Sequence, residues 1–115
     1  MYHTAEELSL YVFSMGDVGY LRLPWNKRQS GRTTAIIGCA GENDVIIAYN
    51  RSMADHCRRI GAKAKAISAS EMIRGTKFEY ETAFIDMNSL LTPQEHDDLM
   101  LNLYATRVKR IISIG

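Results

Sequence analysis

Short, unbroken apolar runs alternate along this chain with stretches of helical period. "DVIIAY" (44–49), "TAFIDM" (82–87) and "RIISIG" (110–115) are hydrophobic blocks of strand length. A strand with one face in water alternates polar and apolar residues, whereas a continuous apolar run needs cover on both faces. Helices crossing between parallel strands give that cover. "YLRLP" (20–24) adds a short strand that ends where proline withdraws its donor, and "AKAIS" (64–68) a weak one. Strand then helix, nearly five times over, predicts parallel strands joined by right-handed crossovers.

The helices are marked mainly by their ends. "TAEELSLYVFSMG" opens on Thr4 with Glu7 three residues on, a capping box, and stops at Gly16. A second helix is expected over Thr33–Ala40, closed by Gly41. Asn50 caps "RSMADHCRRIG", where Met53, Cys57 and Ile60 recur at helical spacing and Gly61 ends the run. "ASEMIRG" reads as a short helix or turn. "TPQEHDDLMLNLYATR" is the best-marked helix, with Thr92 as cap, Pro93 in the first position and Glu95 completing the box.

A length of 115 residues fits one domain, expected as an N-terminal helix over 1–17 followed by a sheet core over 18–115. Its 46% hydrophobic and 23% charged residues match a globular protein with a core. Fourteen basic against 13 acidic side chains leave a net charge of +1, which gives no electrostatic case for nucleic acid or a membrane surface. No apolar run approaches the roughly 20 residues of a membrane span. The opening "MYHTAEELSL" is acidic where a secretory signal is basic. Cys39 and Cys57 read as free thiols in a reducing compartment, so a cytoplasmic location is expected. His3, His56 and His96 have no metal-ligand spacing.

In a parallel sheet, ligands collect at the carboxyl ends of the strands. The loop "NKRQSGRTTAIIG" (26–38) falls at that edge, as does Asp86 at the end of "TAFID". Ser30 and Gly31 supply small residues that let backbone N–H groups face an anion, Arg32 a cation, and Thr33 a hydroxyl, with Thr34 beside it. Asn26 stands where a phosphate loop has its first glycine, and Arg32 where it has lysine. Arginine keeps the charge as a planar fork that grips phosphate bidentately. A hydroxyl and a carboxylate in this order suit magnesium, through Thr33 and Asp86. The same loop also reads as a polar turn with an exposed basic cluster of Lys27, Arg28 and Arg32.

These residues resemble the phosphate loop of the ATPase core of phage terminase large subunits, within the helicase-like P-loop NTPases. "KRQSGRTT" is similar to the terminase loop (Walker A), in which an arginine and a glutamine precede glycine, lysine and threonine. Arg28 and Gln29 match that pair, Gly31 the glycine, Arg32 the lysine and Thr33 the hydroxyl. "VIIAYNRSMADHCRR", "IRGTKFEYETAFIDM" and "RVKRIISIG" resemble the segments that follow, so the likeness runs from Tyr20 to the end. It implies a three-layer α/β/α fold with a mainly parallel five-stranded sheet, in which 110–114 lies between 20–23 and 83–86. It also implies ATP with Mg2+ as ligands, with Arg28, Gln29, Ser30, Gly31, Arg32, Thr33 and Thr34 at the nucleotide.

Three departures limit what the resemblance implies. Met87 stands where the family has a glutamate that activates water, and it accepts no proton. Arg32 replaces the lysine. The sequence ends at Gly115, ahead of the coupling residues and nuclease domain of a packaging motor. Nucleotide binding with weak or absent hydrolysis is therefore expected; if turnover were brisk, a glutamate such as Glu42 or Glu71 would have to substitute for Met87. The alternative is a small phage accessory protein, acting in the host cytoplasm, that uses the fold to bind a host enzyme or a motor subunit without nucleotide.

Overall fold

The computed structural model describes residues 10, 14, 19–23, 32–73, 80–86, 91–105 and 108–114, with the backbone alone at 22, 23, 32 and 73. Leu10 and Ser14 are both helical, at positions inside the first expected helix. Among the described residues, five strands form one sheet: β1 (Gly19–Leu23), β2 (Val45–Ala48), β3 (Lys65–Ser68), β4 (Thr82–Asp86) and β5 (Arg110–Ile114). Helices α1 (Arg32–Cys39), α2 (Arg51–Arg59), α3 (Ala69–Ile73) and α4 (Pro93–Ala105) alternate with them. Every pairing is parallel and the order is β1-β5-β4-β2-β3. β5 therefore lies between β1 and β4, the placement expected for 110–114. The strand and helix bounds fall within a residue or two of those read from the sequence.

The continuous apolar runs are interior strands covered on both faces. All of β2 and β4 is buried, as are the last four residues of β5. Successive side chains point to opposite faces. Ile46, Phe84, Ile112 and Ile114 meet Ala35 and Ile36 of α1 and Ala54 and Cys57 of α2 on one side. Val45, Ile47, Ala83, Ile85 and Ile111 meet Met72 of α3 and Leu99 and Leu103 of α4 on the other. The chain runs outward from β1 through β2 to β3 with helices on the first face, then returns through β4 to β5 with helices on the second. That split is what right-handed crossovers require.

The caps expected at Asn50, Gly61 and Thr92 form, while Thr4, Glu7 and Gly16 lie outside the described residues. The Asn50 side chain accepts from the Met53 amide at 2.9 Å. At the other end of α2, the Ala62 amide donates to the Cys57 carbonyl and the Gly61 amide to that of Arg58, a Schellman motif turning on Gly61 at φ 96°. Thr92 and Glu95 bond reciprocally, at 3.0 and 3.1 Å, to open α4. A second box among the described residues, not anticipated from the sequence, opens α3: the Glu71 amide donates to Ser68 Oγ while the Ser68 amide and hydroxyl donate to Glu71 Oε1.

The weak strand β3 is an edge strand, where unpaired carbonyls invite another chain. Arg58 of α2 donates to the Ala66 carbonyl through Nε at 3.1 Å and through Nη2 at 2.7 Å, and its Nη1 reaches Asp55 at 2.6 Å. A side chain thus takes the bond a sixth strand would use. At the amino edge, Asp44 ties the strands together: its carboxylate accepts from the Gly41 and Thr82 amides at 2.8 and 3.2 Å. Its carbonyl accepts from the Lys65 amide at 3.3 Å.

Candidate functional site

The carboxyl end of β4 places Asp86 where parallel sheets bind ligands. Its residue is only 2% exposed. A charge so enclosed has to be met by donors. One of them is Thr33, whose hydroxyl donates to Asp86 Oδ2 at 2.9 Å across 53 residues of sequence. Thr33 is the second residue of α1 and half-buried. It comes within reach because Ala35 and Ile36, one turn further on, seat the helix against Phe84 and Ile114.

Beneath this pair lies Cys57, fully buried on α2. Burial, and then the nearby Asp86 charge, push its thiol up to about 11, so it stays protonated at neutral pH. Cys57 is an inert core residue, and Cys39 at the end of α1 is half-buried; neither is in a disulfide, as expected.

Of the residues singled out in the sequence, Thr33 and Asp86 are brought together. Thr34 is exposed on the next position of α1. Arg32 is the first residue of α1, and its backbone alone is described. Arg28, Gln29, Ser30 and Gly31 lie outside the described residues, as does Met87. The two alternative glutamates are placed poorly for a base at Asp86. Glu42 is in the turn before β2, at the amino edge, opposite the end of β4 that carries Asp86. Glu71 is at the correct edge, but its Oε1 is bonded to the Ser68 amide and hydroxyl.

The donor set is hard oxygen, one hydroxyl and one carboxylate, which suits magnesium and gives no soft ligand for a thiophilic metal. No helix among the described residues is long and apolar enough to cross a membrane. Neither a protein-family model, nor a curated protein, nor a solved structure matches the chain.

Proposed function

We propose that this domain binds ATP or a related nucleotide phosphate, in a P-loop-like manner similar to a terminase ATPase, with weak or absent hydrolysis. The observation that carries the reading is the 2.9 Å bond from Thr33 to Asp86. A hydroxyl at the start of a helix and a carboxylate at the end of a buried strand are the two protein groups such a site sets at magnesium. The position of β5 between β1 and β4 adds support, because it leaves the exits of β1 and β4 on either side of one strand end. Thr33 and Asp86 would hold the metal, which when bound neutralises phosphate charge. Arg28 and Arg32 would face the phosphates, with Gln29 and Thr34 beside them, and the Ser30, Gly31 and Arg32 amides would lend backbone donors. Of the groups considered for taking a proton from water, Met87 cannot, Glu42 lies at the amino edge, and Glu71 is engaged by Ser68.

Titration calorimetry with ATP and Mg2+ tests the reading. Saturable binding, weakened about tenfold or more in both Arg32→Ala and Asp86→Ala, supports it. Heat indistinguishable from dilution at millimolar ATP sinks it. The second reading, a protein-binding accessory, is favoured by one observation: Leu101 and Tyr104, three apart on α4, are 69% and 64% exposed. That face would then meet a host enzyme or a motor subunit.

A further inference from the structure

The sheet divides a second time at its carboxyl edge. β2 hands the chain to α2 on one face, while its neighbour β3 hands it to α3 on the other. Adjacent strands whose helices leave to opposite sides open a crevice between them. A cavity of about 410 Å³ lies there, lined by Arg51, Arg58, Ser68, Ser70 and Glu71. Its volume is within the range of small-molecule sites, about 300 to 1,000 Å³.

Every described lining residue is polar or charged. Arg58 is fixed by Ala66 and Asp55, so its guanidinium is already positioned. Arg51 makes no ion pair among the described residues. Ser68 is 2% exposed, and its hydroxyl lies 3.1 Å from that of Ser70. Asp55 meets the charge of Arg58, so Arg51 is the lining cation that no carboxylate pairs among the described residues, and with the N–H groups of Arg58 it favours an anion. The hydroxyls and Glu71 favour a ligand that also brings donors. No described aromatic or aliphatic side chain lines the space to stack a base or bury hydrocarbon.

We propose that this crevice binds a small, hydroxyl-rich monophosphate, with Arg51 and Arg58 at the phosphate and Ser68, Ser70 and Glu71 at the hydroxyls. The site shares no residue with the Thr33–Asp86 pair, so the two proposals fail separately.

Amide NMR titrations with ribose 5-phosphate, inorganic phosphate and ribose test it on the full chain. Ribose 5-phosphate is expected to shift the amides of Arg51 and residues 68–71 saturably, with a Kd of about 1 mM or tighter. Inorganic phosphate binds the same residues about tenfold more weakly, and ribose does not saturate. Arg51→Ala weakens ribose 5-phosphate about tenfold. Glu71→Gln keeps the helix cap, since glutamine serves there equally, and narrows the preference for the sugar phosphate. Spectra unchanged away from the crevice show each variant folded. The proposal is overturned if no saturable shift occurs by about 10 mM, if Arg51→Ala binds like the wild type, or if inorganic phosphate binds as tightly. Tighter binding of a single-stranded oligonucleotide at the same amides overturns it too, in favour of a nucleic-acid contact.

Discussion

A carboxylate that is 2% exposed and bonded to a hydroxyl 53 residues away was partly legible beforehand, because each partner belongs to a recognisable pattern. Thr33 follows a small-residue loop and Asp86 ends an apolar strand. Other buried polar groups gave no such sign. Ser113 sits inside "RIISIG", fully buried, and its hydroxyl has no hydrogen-bond partner among the described residues. An apolar run says that a strand is covered, not whether a hydroxyl within it is satisfied. Ser113→Ala is therefore expected to stabilise the fold by about 1 kcal/mol in urea denaturation, since it removes an uncompensated polar group. Asp44 was read only as the first residue of "DVIIAY", yet its side chain reaches the Thr82 amide 38 residues on. Burial raises its carboxyl above the ordinary aspartate value, outweighing the two amide donors and the charge of Arg110. The folded state thus holds more proton than the unfolded one between the ordinary and the raised value. The resulting stabilisation is complete below the ordinary value and is lost as pH rises through the folded one. Urea midpoints across that acid range should show wild type losing stability relative to Asp44→Asn as pH rises.

At the scale of elements, periodicity located the buried strands and caps located the helix ends, because both are local signals. What stayed hidden depended on where an element sits in the sheet. "AKAIS" reads weakly since β3 is a short edge strand, and its security comes from Arg58 bonding the Ala66 carbonyl. α3 has five residues, too few for a period to show, and its Ser68–Glu71 box is the better marker. Gly61 is the point where local reading and structure agree most closely. It holds φ 96°, and an added Cβ would meet nothing within 4 Å. Gly61→Ala should thus cost about 1 kcal/mol from backbone strain alone, measured by denaturation, with no repacking of the core around Cys57.

For the whole molecule, alternation of strands and helices was enough to give a parallel α/β sheet, and crossover handedness then fixes which helices share a face. The order β1-β5-β4-β2-β3 was only partly accessible, since neighbours such as β4 and β2 are set by packing of matched apolar faces rather than by sequence distance. That order brings the start of α1 over the end of β4, and the functional reading rests on this meeting. The most direct test is the effect of Mg2+ on ATP affinity in wild type and in Asp86→Ala, by calorimetry. Withdrawing Mg2+ should weaken wild-type binding about tenfold or more and leave the variant's residual binding unchanged. Equal affinity with and without Mg2+ in the wild type, or the same Mg2+ dependence in the variant, would contradict a metal–phosphate role for Thr33 and Asp86.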